Sequence, residues 1–234
     1  MTAHAALVDA VQAGLAEAAD PDRAEPMRRY MKSAMPFRGV PKPERAALTK
    51  RVFTAHPLST RDDWVATVLT LWRDAGFREE RYAATDLTGH RPYQRWQDAE
   101  LLGLYEELVV TGAWWDHVDE IASRRVGPLL RTDPARLTPA MRRWAHDTDP
   151  WKRRTSIICQ LGSRRSTDTE LLGHAIEANI DDPDFFLRKA IGWALREHTR
   201  TDPAWVVAFV AAHPGLSPLS RREALRNLPV DQRG

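Results

Sequence analysis

Asp-Pro pairs recur five times along this chain, at Asp20-Pro21, Asp133-Pro134, Asp149-Pro150, Asp182-Pro183 and Asp202-Pro203. Each one marks the start of a helix. An aspartate ahead of a helix accepts hydrogen bonds from first-turn amides that lack a partner within the helix. A proline at the first helical position has no N–H to leave unpaired. Between these points apolar residues return at three- and four-residue spacing, sustained apolar/polar alternation is missing, and no Asn-Gly or Asp-Gly turn joins two would-be strands. The chain is therefore expected to be all-α. Its helices are expected near residues 3–19, 22–33, 43–55, 60–75, 79–89, 97–111, 114–126, 137–147, 150–162, 169–180, 184–199, 203–213 and 218–227.

Two of these starts resemble each other beyond the dipeptide. Asp149-Pro150-Trp151-Lys152-Arg153-Arg154-Thr155 parallels Asp182-Pro183-Asp184-Phe185-Phe186-Leu187-Arg188-Lys189-Ala190, with Arg154 and Lys189 35 residues apart. That is close to the period of a helical repeat, in which each helix pair buries one face on its neighbour and the stack curves into a solenoid. At 234 residues and 43% hydrophobic, residues 1–234 are long enough for one domain or one continuous array. A single cysteine, Cys159, excludes an internal disulfide and any multi-cysteine metal site, and points to a reducing compartment. Mean hydropathy is −0.49. The first residues lack a basic stretch followed by an apolar one, and no apolar run is long enough for a membrane helix. A cytoplasmic monomer is the expectation.

The net charge of +2 says little, because phosphate binding depends on where basic residues gather. Residues 121–165 hold eleven basic against three acidic residues, a local excess of eight, so the rest of the chain is acidic. Such a run is either a solvated helix face or part of a nucleic-acid surface.

Three places break the amphipathic pattern. On an ideal helix over 114–126, Trp114, Val118 and Ile121 share one face and Trp115 and Asp119 another, which stacks a carboxylate beside an indole. The pair is either ordinary core beside an ion-paired aspartate or part of a site. Trp193 falls opposite the apolar stripe of Leu187, Ile191, Ala194 and Leu195, flanked by Lys189 and Glu197, and is either covered by a neighbouring helix or turned to a ligand. Arg154 lies on the stripe of Ile157 and Leu161, where burial without a partner is costly. It snorkels outward, pairs with Asp119 or Asp116, or reaches a phosphate. No phosphate loop, Rossmann glycine pattern, His-Glu-x-x-His motif or nucleophile elbow is present, and the eight histidines lack ligand spacing. Neither a metal nor a nucleotide cofactor is expected.

Several stretches, in order and over most of the chain, resemble the AlkD family of HEAT-like DNA alkylation repair glycosylases. They are Ala24-Glu25-Pro26-Met27 through Tyr30-Met31-Lys32, Gly39 to Arg45, Leu108 to Asp119 with Trp114-Trp115-Asp116, Trp151 to Arg154, Lys189-Ala190-Ile191-Gly192-Trp193 to Glu197, and Leu219-Ser220-Arg221-Arg222-Glu223-Ala224. Agreement is poorest over 78–100 and after Leu228. The resemblance implies a right-handed α-solenoid with a concave DNA-binding face. It puts the catalytic carboxylate on Asp119, the lesion-site tryptophans on Trp115 and Trp193, and a backbone-contacting arginine on Arg154. Lys189, Arg153, Tyr30 and Arg45 are the further DNA-binding candidates.

The implied activity is hydrolysis of the N-glycosidic bond of cationic N3- or N7-alkylated purines in duplex DNA, bulky adducts included. No lyase step is implied, since no lysine stands beside Asp119 in the sequence to form a Schiff base. Two alternatives stay open: a repeat protein that binds DNA structure without excision, and an α-solenoid that binds protein partners.

Overall fold

The computed structural model describes residues 2–228, which contain helices and turns and no strand. The helices are α1 (Ala5–Glu17), α2 (Pro21–Tyr30), α3 (Lys42–Ala55), α4 (Arg61–Arg73), α5 (Arg78–Thr88), α6 (Leu102–Gly112), α7 (Trp115–Ile121), α8 (Gly127–Thr132), α9 (Pro134–Trp144), α10 (Pro150–Ile158), α11 (Thr169–Glu177), α12 (Phe185–His198), α13 (Pro203–Ala212) and α14 (Pro218–Ala224). No helix among the described residues is long and apolar enough to cross a membrane.

Four of the five Asp-Pro pairs open helices as read. Asp20, Asp133, Asp149 and Asp202 each accept from amides of the first turn, at 2.7–3.3 Å. The fifth does not. The cap of α12 is Asp184, which accepts from the Phe186 and Leu187 amides at 2.7 and 3.0 Å, while Asp182 accepts from the Asp184 amide at 2.7 Å. The same double turn precedes α10, where Asp147 accepts from the Asp149 amide at 2.9 Å. The register of the repeat is therefore set by Asp147 with Asp182 and Asp149 with Asp184, each pair 35 residues apart.

The contacts gather into two compact units that divide between Gln97 and Asp98. In the first, α1 packs on α3, α4 and α5 around Leu7, Leu15, Trp64, Trp72 and Leu87, all fully or almost fully buried. A 3₁₀ stretch over Arg91–Trp96 brings in Tyr93, whose hydroxyl accepts from the Leu58 amide at 2.8 Å. Gly39 has φ +84, and a Cβ there would lie 2.0 Å from the Asp20 carbonyl oxygen, so only glycine fits this turn. The buried Glu79 carboxylate accepts from the amides of Arg38, Gly39 and Val40 at 2.9–3.2 Å, giving that loop the partners it cannot find in a helix.

In the second unit α7, α10, α12 and α14 pack side by side in that order, and α9, α11 and α13 pack against them as the other halves of helix pairs. This is the stacked helical repeat that the 35-residue spacing predicts. Its core runs through Val118, Ile121, Ile157, Ile176, Leu187, Leu195 and Val206, all at most 1% exposed.

One element differs from expectation where it matters. The helix carrying Asp119 does not end at residue 126. A π-helical turn over Ala122–Val126 leads straight into α8. Pro128 supplies a reason: a proline inside a continuous helix removes a hydrogen bond and collides with the carbonyl four residues back, and a wider turn relieves both. The continuation is pressed onto α10 at Gly127, where a Cβ would lie 2.2 Å from the Cys159 carbonyl oxygen. Gly127→Ala must push two backbones apart. Its expected cost is about 3 kcal/mol, read in thermal unfolding as a Tm lower by roughly 6–12 °C.

Candidate functional site

Asp119 and Trp115 lie one turn apart on the same face of α7 and are both half-buried. The residue before them, Trp114, is the extended N-cap position of α7 and not its first buried residue. Its ring packs with Trp151 and Phe186 in a triangle with centroids 5.2–6.1 Å apart. The three aromatics come from the starts of α7, α10 and α12, and they tie these starts together.

Arg154 takes one of the courses that its position on an apolar stripe left open. Its side chain is 5% exposed and grips Asp119 with both prongs, Nε to Oδ1 at 2.7 Å and Nη2 to Oδ2 at 2.9 Å. The remaining nitrogen, Nη1, donates to the backbone oxygen of Phe186 in the first turn of α12. The planar guanidinium thus joins α7 to α12 and fixes both carboxylate oxygens in one plane, a geometry that lysine cannot reproduce. A phosphate approaching Arg154 would have to share it with the carboxylate.

Burial pushes the Asp119 carboxyl above its ordinary value of 3.8, against the pull of the Arg154 hydrogen bonds and charge. Removing two ions from water offers little net stability even when they pair. A carboxylate desolvated to this degree, held by one cation and still 17% exposed, is an arrangement suited to meeting a second positive charge.

Trp193 lies seven residues along α12 from Phe186, about 10 Å by helical rise. Its ring packs on the core of the second unit, as the reading of a covered tryptophan expected, and it is half-buried. Lys189, one turn earlier, is 42% exposed and stands 3.5 Å from Glu223 on α14. Arg153 pairs with Asp182 at 2.6 Å. Two candidates lie in the first unit. Tyr30 ends α2 and is 77% exposed, whereas Arg45 is buried, 3.0 Å from Asp86 and with its guanidinium 4.6 Å from the centre of the Tyr82 ring.

The basic stretch 121–165 is less free than its sequence suggests. Arg125, Arg142, Lys152, Arg153 and Arg154 meet Glu120, Glu170, Glu106, Asp182 and Asp119, all of them carboxylates from outside the stretch. Arg124, Arg136, Arg143, Arg164 and Arg165 are exposed. Sequence reading passed over Phe186, whose contribution is a backbone carbonyl, and Glu223, whose partners lie on another helix.

Similarity to known proteins points to one family. The family described as DNA alkylation repair enzyme matches residues 11–228. The chain belongs to that family, which makes it an enzyme of alkylation DNA repair with DNA as its substrate. A solved structure described as a predicted DNA alkylation repair enzyme from Enterococcus faecalis is 30% identical to it, with a TM-score of 0.82 over 91% of this chain and 97% of that one. No curated protein matches.

Proposed function

We propose that this chain is a monofunctional DNA glycosylase that hydrolyses the N-glycosidic bond of purines alkylated at N3 or N7. The observation that carries this reading is the Asp119–Arg154 clamp, with Trp115 on the same helix face. Alkylation at these nitrogens makes the base cationic and a good leaving group, so little protonation is needed. The barrier lies at the sugar. As the C1′–N bond breaks, its electron pair leaves with the base, which departs neutral, and C1′ gains oxocarbenium character.

An ionised carboxylate stabilises that charge and orients the water whose oxygen bonds to C1′. The proton lost by the water passes to the carboxylate or to solvent. Trp115 and Trp193 offer electron-rich faces to the developing cation, worth about 0.5–2 kcal/mol. Arg154 holds the carboxylate in plane. Asp119 acts through its charge and not as an acid.

The test is release of a methylated purine from alkylated duplex DNA, measured from acid to neutral pH. The working form is the carboxylate and its pKa is raised, so the rate is expected to fall as pH drops, with the midpoint above pH 3.8. No release by folded protein at any pH would reject the enzyme reading. A rate that rises toward acid pH would reject the role given to Asp119.

A further inference from the structure

Asp119, Arg154, Lys189 and Glu223 stand at matching places on four neighbouring helices. Each of the first three is the fifth residue after its cap, Trp114, Asp149 or Asp184, and Glu223 is the sixth after Ser217. The repeat therefore sets out a row of charges, negative, positive, positive, negative. Asp119 serves the cation at one end, and Glu223 serves the cation at the other.

Glu223 does more than face Lys189. Its second oxygen accepts from Arg196, and Arg226 lies 4.0 Å away. Lys189, Trp193 and Arg196 follow one another at four- and three-residue steps and form a single stripe of α12, so the half-buried indole lies between two cations that share one carboxylate. The depths differ. The Glu223 side chain is 12% exposed, while those of Lys189 and Arg196 are 42% and 24% exposed.

The carboxylate is held there by backbone packing. A Cβ on Gly192 would lie 2.6 Å from the Glu223 Cβ and 3.0 Å from the Ser220 carbonyl oxygen, and the Ser220 hydroxyl donates to the Arg188 carbonyl at 2.9 Å. Burial raises the Glu223 carboxyl, but the charges of Lys189 and Arg196 outweigh it and hold it below its ordinary value of 4.5. An anion thus lies under a cationic, aromatic stripe.

We infer that Glu223 is a built-in counter-anion that limits how strongly the Lys189–Trp193–Arg196 stripe holds undamaged DNA, so that lesion recognition is not swamped by binding to any phosphate. This rests on the reading above that the Trp193 face meets DNA. A cation already neutralised from beneath releases fewer counterions when a phosphate arrives, and the carboxylate repels that phosphate as well.

The test is titration of the full chain with an undamaged duplex oligonucleotide over a series of salt concentrations. Glu223→Gln, which keeps the shape and removes the charge, is expected to steepen the slope of log K against log salt by about 0.9 and to tighten binding about eightfold near 0.1 M salt, the effect of one added phosphate contact. Lys189→Gln with Glu223→Gln returns the slope to that of the wild type. Glu223→Asp, which keeps the charge and shortens the reach, leaves the slope unchanged.

An equal or shallower slope in Glu223→Gln overturns the inference and makes Glu223 a clamp between α12 and α14. A steeper slope in Glu223→Asp overturns it too, since packing and not charge would then be the cause. Absence of duplex binding by the wild type rejects the DNA reading itself, a result distinct from both.

Discussion

Asp119→Asn is expected to slow methylpurine release by about 10²–10³-fold, the range seen when one preorganised electrostatic contact to a transition state is lost, while duplex binding persists. The amide has nearly the shape of the carboxylate and still accepts from Arg154 through its oxygen, so the α7–α12 connection survives in part. What disappears is the negative charge beside C1′. The acid limb of the wild-type pH profile should vanish with it, because no group remains to titrate in that range. Equal rates in variant and wild type would leave the activity standing and remove Asp119 from its mechanism.

Arg154→Met is expected to be the most destabilising change at the site, by about 3 kcal/mol, because it leaves a largely desolvated carboxylate without its partner, and to lower Tm by roughly 6–12 °C. Methionine fills much of the guanidinium's volume, so the loss reports charge more than cavity. Asp119→Asn in the Arg154→Met background should recover part of that stability, since an amide is cheaper to bury alone than an ion. A double variant no more stable than Arg154→Met would mean that the pair is not coupled. Whatever activity Arg154→Met keeps should show its acid limb at higher pH, because the guanidinium that opposes the upward push on Asp119 is gone. A purely structural arginine would lower Tm without moving that limb.

The clamp also explains why an arginine occupies an apolar stripe of α10. Ile157 beside it is fully buried, and the same depth around Arg154 is tolerable only because all three guanidinium nitrogens have partners, two on one carboxylate and one on a helix-end carbonyl. The repeat supplies the geometry. Helices α7, α10 and α12 start beside one another, so residues at equal distance from their caps come within reach across neighbouring pairs.

Much of this was legible in the chain itself. Apolar spacing and Asp-Pro punctuation determined an all-helical fold, most helix starts and a 35-residue repeat, because capping and amphipathicity are local and depend on residues a few places apart. They also marked Trp115, Asp119, Arg154 and Trp193 as residues out of pattern. The misreadings were local as well: Asp182-Pro183 carried the right dipeptide but belongs to the turn before the true cap, and the helix expected over 114–126 continues through a π-helical turn at Ala122–Val126 into α8.

Only the tertiary structure decided the partners. Arg154 had three outcomes open to it until α7 stood beside α10, and the basic run 121–165 looked like a free positive surface until carboxylates distant in sequence paired with much of it. Asp119 and Arg154 are 35 residues apart, and Lys189 and Glu223 are 34 apart. A charge pair at that distance leaves no local pattern, because its energy depends on separation in space and on the water excluded around it, and both are fixed only when the helices stack.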